Sequence, residues 1–304
     1  MHFWGIVSGF LAAILMACSY LSSGWGIRRT PELNALTFLA SAFIWMGLFA
    51  LVGLAATWRP VLFSSGFPHR MLPVLGSIFF YSLAQMMMFM AQRRVDASLL
   101  VPLMGLKLPM LVLLNLALFG MRFTWLQVFA VGLTVLAAFL LNRTSSQLNW
   151  PAIALVLLAC LLFSLSDLCL KLEVDLLQSE LGYSATLAAC HCTFLNYIVA
   201  GLAGLATMAV VRKLRTRRAL LHSLPYSAFW IVSIVFLNLC FAYLGTVNGN
   251  IIQSTRGIFS ILFAPILVSC GLTYLEQKVS WGVFARRLLA ASLMVGAIVL
   301  YNLK

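Results

Sequence analysis

Charge is scarce in this chain. Only 9% of its 304 residues are Asp, Glu, Lys or Arg, and seven of those are acidic. An ordinary soluble domain carries about 25% charge. A soluble chain of this length needs a polar surface that so few charges cannot supply, whereas in lipid the outer face is apolar. Long polar segments are missing too, and none of the connections is long enough to build a soluble domain. No Lys or Arg precedes the first apolar run and no small-residue cleavage site follows it, so it reads as a retained helix rather than a signal peptide. Cys-x-x-Cys is absent. The seven cysteines (Cys18, Cys160, Cys169, Cys190, Cys192, Cys240, Cys270) are odd in number, against a disulfide framework. All lie in apolar runs and read as small hydrophobes. Cys190-His191-Cys192 suggests a metal, but consecutive helical residues point in different directions and cannot converge on one ion. No metal and no cofactor is expected.

What the chain has is hydrophobic length: 63% of its residues are apolar. Runs of bilayer-spanning length, about 20 residues, cover Phe3–Ser23, Leu33–Thr57, Met71–Ala91, Ser98–Phe119, Thr124–Leu141, Trp150–Leu172, Ser184–Val211, Tyr226–Gly245, Asn250–Thr273 and Trp281–Tyr301. Trp25, Trp58, Trp125, Trp150 and Trp281 stand at run ends, where indole rings favour the headgroup region. Barrel strands would be about half as long and would alternate in polarity. The expected fold is an all-α integral membrane protein of ten transmembrane helices.

The runs divide into two sets of five, residues 1–145 and 146–304. Phe89–Ser98 and Cys240–Gly249 each close a third helix and open a fourth; Pro109 and Pro265 lie inside the fourth helices. Tight turns follow at Gly120–Trp125 and Glu276–Trp281, and the last helices end at Asn142 and Asn302. Because five is odd, consecutive five-helix units have opposite orientation, an inverted-repeat architecture used by transporters. These landmarks resemble the drug/metabolite transporter superfamily, of the type built from two EamA repeats. Ala91, Ala97, Ser98, Pro109, Phe123, Thr124 and Gly132 match in the first half; Ala242, Pro265, Glu276, Val279 and Ser280 match more loosely in the second. Met121 replaces the usual turn glutamate, and Thr37 stands where an arginine is common. The resemblance spans residues 3–303 and implies a ten-helix exporter or permease of small metabolites.

The net charge of +13 lies mostly in helix connections, densest at Arg212, Lys213, Arg215, Arg217 and Arg218. In a soluble protein it would suggest nucleic acid; here the positive-inside rule accounts for it and no nucleic-acid partner is expected. Odd-numbered connections carry most of the basic residues, and Glu173, Asp175 and Glu180 are assigned to an even one. The charge rule therefore puts the odd connections in the cytoplasm and both termini outside, while the family resemblance implies cytoplasmic termini. The expected location is a multi-pass place in a cell membrane, of the bacterial inner-membrane kind, as monomer or homodimer.

An ionisable side chain at mid-membrane costs about 2.5–3.5 kcal/mol on insertion scales. Lys107 in the fourth run and Arg256 in the ninth are therefore functional candidates, open equally to a bracing role. Facing a central cavity, they would favour a carboxylate or phosphate. Asp167 and Lys171, four apart, are expected to pair, or Asp167 to couple protons. Tyr81 with Gln85, Gln253 with Arg256, and Asn238 are candidate ligand contacts or interhelical hydrogen bonds. Met86, Met87, Met88 and Met90 cover all faces of one helix and read as packing. Secondary transport of small, anionic or zwitterionic metabolites such as amino acids or phosphate-bearing compounds is the leading reading. A lipid-carrier flippase or accessory membrane subunit is the alternative. An intramembrane enzyme would need a clustered catalytic set, and His191 with Asp167 makes none.

Overall fold

The computed structural model describes residues 2–29, 34–63, 66–95, 100–101, 103–119, 124–142, 150–211, 217–269 and 280–302. Ala97, Ser98, Met121, Arg122, Phe123, Arg143, Arg212, Lys213, Arg215, Cys270, Glu276, Lys278 and Val279 lie outside the described residues. Among the described residues all regular structure is helical: α1 (His2–Arg29), α2 (Ala35–Ala56), α3 (Phe67–Gln92), α4 (Lys107–Phe119), α5 (Trp125–Asn142), α6 (Trp150–Leu181), α7 (Ala185–Val210), α8 (Arg217–Ser254), α9 (Arg256–Ser269) and α10 (Trp281–Asn302). Among the described residues six stretches are long and apolar enough to cross a membrane: Phe3–Ile27, Ala35–Ala56, Phe67–Gln92, Trp150–Leu181, Ala185–Val210 and Arg217–Gly245. The chain is an all-α membrane protein.

Local chemistry sets several helix ends. Asn34 caps α2, its side-chain oxygen accepting from the Thr37 N–H at 2.7 Å. Ser184 caps α7 by accepting from the Leu187 N–H. Gly182, at φ 64°, follows α6 in a left-handed conformation that suits glycine. Hydropathy ends the sixth run at Leu172, yet α6 continues to Leu181. Glu173 is thus not in a connection as expected; it lies inside the helix, 1% exposed. Arg217 and Arg218 likewise begin α8 rather than standing in a connection.

Two of the runs are interrupted. In the fourth, a tighter turn over Met104–Leu106 precedes α4, so Lys107 is the first residue of a half-helix. At the end of the eighth, Gly245 (φ 78°, ψ 168°) turns the chain sharply within α8 toward the ninth, a combination open essentially to glycine alone. The chain then breaks again at Thr255, and Arg256 opens α9. Backbone carbonyls released at membrane depth need partners. Ser164 on α6 donates to the Lys107 carbonyl at 3.2 Å. Ser254 and Thr255 donate to the Ile251 and Ile252 carbonyls at 2.6 and 2.7 Å.

Helix α1 packs along α8, and α3 along α6; α2 crosses α7, and α5 lies on α10. Helix α9 leans on α1 as α4 leans on α6. At the α2–α7 crossing Gly47 and Gly201 face each other. A Cβ on either would stand 2.8 Å from the other's Cα. Small residues permit this backbone approach, which is how helices associate in lipid without a hydrophobic drive. Gly47→Val or Gly201→Val is expected to destabilise by about 1–3 kcal/mol, as overpacking does. Thermal unfolding of the purified variants in detergent checks this, and an unchanged midpoint in both would contradict the contact. At one end of the bundle Arg70 on α3 donates to Glu180 on α6 at 3.0 Å and to the Leu62 carbonyl at 3.0 Å.

Candidate functional site

Helices α1, α3, α6, α7, α8, α9 and α4 enclose a cavity whose polar lining includes Lys107, Asp167, Asn196, Gln253 and Arg256. Its water-accessible volume is about 30 Å³, room for about two water molecules at 10–15 Å³ each. The cavity is therefore small in this structure.

The two helix breaks deliver the cations. Lys107 Nζ lies 2.5 Å from Asp167 Oδ2 across α4 and α6, with both side chains about 5% exposed. Asn250 donates to the same oxygen at 2.9 Å. The Lys107 ammonium also stands 5.7 Å from the Phe163 ring centre. The expected Asp167–Lys171 pair does not form. Lys171 points instead to Asp175, another neighbour at helical spacing on the more exposed side of α6. Asp167 faces inward, where Lys107 reaches it.

Arg256 is 3% exposed and has no carboxylate within ion-pair distance among the described residues. Its guanidinium meets the Met16 sulfur at 3.5 Å and the Tyr20 ring at 5.9 Å. Its Nε has no hydrogen-bond partner among the described residues. Gln253, one turn earlier on the same face, donates to the same sulfur at 3.1 Å. Lys107, Asp167 and Arg256 together leave the cavity with an excess of one positive charge. Both cations sit in the first turn of a half-helix, where the helix dipole disfavours a cation and favours an anion by about 0.3–1 kcal/mol.

Aromatic rings form the remaining wall. Tyr81 shares a hydrogen bond with Tyr226 at 3.3 Å, and Trp230 Nε1 donates to the Tyr197 hydroxyl at 2.5 Å. Tyr20 meets Trp230 edge to face at 5.4 Å between ring centres.

Of the residues singled out from sequence, Lys107, Arg256, Asp167, Tyr81 and Gln253 line the cavity. Gln85 and Asn238 do not. Gln85 is wholly buried beyond it, and neither amide atom finds a partner among the described residues. Asn238 donates to Thr193 Oγ1 at 2.9 Å, an α8–α7 brace. The cavity also holds Met16, Tyr20, Asn196, Tyr197 and Trp230, which sequence reasoning missed. Asn196 and Asn250 are polar residues within apolar runs and could have been flagged by the cost of burying an amide; Met16 carries no such signal. His191 and Cys192 diverge: His191 Nε2 meets the Thr57 carbonyl at 2.9 Å and Cys192 the Leu170 carbonyl at 3.8 Å.

No family model matches the chain, and no curated protein matches it. A solved structure, described only as a protein crystal structure, superposes with a TM-score of 0.62 at 13% identity, covering 98% of this chain and 96% of its own. At that identity the likeness concerns the fold alone.

Proposed function

We propose that the chain is a secondary transporter of small anionic or zwitterionic metabolites, built as two inverted five-helix halves of the drug/metabolite type. The observation that carries this reading is Arg256: a buried guanidinium, without a carboxylate, in a cavity where one acid already serves Lys107. Burying a charge without a partner is costly, and a carboxylate or phosphate bound there removes the cost.

The helix contacts support the inverted halves. Shifting every helix by five turns α1–α8 into α6–α3, α1–α9 into α6–α4 and α2–α8 into α7–α3, and each of these pairs is in contact. It returns α2–α7 and α5–α10 to themselves. The same shift carries the Lys107–Asp167 meeting of α4 and α6 onto the Arg256–Met16 meeting of α9 and α1. Where one half supplies an acid, the other supplies a thioether, and the missing charge is the one a solute brings. Interrupted helices facing a central site are also a transporter arrangement.

Uptake into liposomes holding the purified chain tests the reading. The probes are radiolabelled glutamate, succinate and glycerol phosphate, with glucose and choline as neutral and cationic controls. Saturable entry of one or more of the anionic probes is expected. Entry of choline alone, or of no probe, sinks the proposal.

A further inference from the structure

Glu173 sits in α6 six residues beyond Asp167, about 9 Å further along the helix at 1.5 Å per residue, toward the Arg70–Glu180 end. Its carboxyl is 1% exposed. Oε2 accepts from Asn196 Nδ2 at 2.5 Å, while Oε1 meets no donor among the described residues. On the same helix Leu170, Val174 and Leu177 belong to an apolar cluster that also holds Leu54, Val74 and Leu195 from α2, α3 and α7. The titratable groups facing it are Cys169 on its own helix and Cys192 on α7. From α3, Arg70 is occupied by Glu180 and the Leu62 carbonyl, and on α6 itself Asp167 is held by Lys107. α8 presents Asn238, which is not ionisable and is bonded to Thr193.

No cation is therefore at hand for this carboxyl, and an ionised carboxylate in such surroundings is far costlier than a neutral acid. Asn196 connects it to the cavity, because the same side chain lines the cavity wall and donates a hydrogen bond to Glu173. Asn196 Oδ1 has no partner of its own among the described residues. A solute that draws Asn196 toward itself removes that bond from Glu173.

We infer that Glu173 is a proton-binding site linked through Asn196 to the transport cavity, so that a proton moves with the solute. In the closed form the carboxyl holds the proton, and Lys107, Asp167 and Arg256 sum to one positive charge. A monoanion brings that sum to zero. When the loaded cavity opens to water the solute leaves and the carboxyl gives its proton up; the empty chain returns with Glu173 ionised against the cavity's one excess positive charge, and solute and proton are reloaded from the opposite side. One proton accompanies each monoanion, and the cycle moves no net charge. The use of this proton in transport rests on the transporter reading; the presence of the proton does not.

Two measurements on the full chain in lipid bilayers separate these. Infrared difference spectra taken between neutral and alkaline pH are expected to show a protonated-carboxyl carbonyl band. That band should be absent from Glu173→Gln, displaced in frequency in Glu173→Asp, and kept in Asp175→Asn, which removes an exposed acid of the same helix. A wild-type chain without the band, or a band that survives in Glu173→Gln, overturns the inference. A pH dye trapped in the liposomes then reads proton entry with glutamate, succinate or glycerol phosphate. Acidification with uptake, lost in Glu173→Gln, supports the linkage; uptake without acidification overturns it. If the Glu173 band is present but none of the three probes enters, the transporter reading fails and the proton site stands.

Discussion

If the chain transports anions as proposed, Arg256→Ala is expected to abolish most saturable uptake of the anionic probes while the protein still folds. Truncating one partner of a buried charged contact costs about 2–5 kcal/mol of binding, equivalent to about a 30- to 4000-fold loss in affinity at 1.4 kcal/mol per tenfold. The fold tolerates the change because no carboxylate depends on Arg256: its contacts are the Met16 sulfur and the Tyr20 ring. Arg256→Lys recovers part of the activity, since an ammonium restores the charge without the two-pronged geometry of a guanidinium. Concentration dependence of uptake in liposomes, beside a thermal unfolding curve for each variant, checks both statements. Wild-type affinity in Arg256→Ala removes the anion site.

Lys107 behaves differently, although the sequence presents it as Arg256's equivalent. Lys107→Met leaves Asp167 buried with Asn250 as its remaining partner. Breaking a buried ion pair from one side destabilises by about 3–5 kcal/mol. Loss of folded protein is therefore expected for Lys107→Met, and again for Asp167→Leu. The double variant Lys107→Met/Asp167→Leu removes both charges and should regain most of the stability, because well-packed apolar replacements of such pairs are often neutral. Thermal midpoints of the three proteins in one detergent form a double-mutant cycle. A double variant less stable than both singles would show that the pair is not the source of the effect. An alanine scan alone would read the Lys107 result as lost function when its first cause is lost structure.

The helices were legible because their signal is local: about twenty apolar residues in a row read the same wherever the bundle places them. The end of α6 was not, since hydropathy falls from Glu173 onward, where Glu173, Asp175 and Glu180 follow closely. Glu173 is buried against α7, so the helix runs on to Leu181. The site followed the same division. Lys107 and Arg256 were found from the cost of burying charge, and Gln253 from its one-turn spacing to Arg256. The partner of Asp167 was misread because spacing of four names candidates only within a helix. Lys171 had two such acids and took Asp175, leaving Asp167 to a lysine 60 positions away in sequence. Gln85 and Asn238 have the right chemistry, but which way a helix is rotated is decided by its neighbours, and theirs turn them from the cavity. Met16 is apolar in an apolar run and becomes informative only beside a guanidinium.

The bare contact of Gly47 with Gly201 has a mechanical meaning. Two rods that touch backbone to backbone at one point resist separation more than they resist turning on that point. If the two halves move as rigid bodies, that crossing is the fulcrum, and displacement grows with distance from it along every helix. The far ends then travel most, and in opposite senses, so that one mouth closes as the other opens. Arg70 and Glu180 join the halves at such an end. On the transporter reading proposed above, their bond is a catch that must release before that mouth can open, and replacing either partner is expected to shift the resting balance toward the form open on that side.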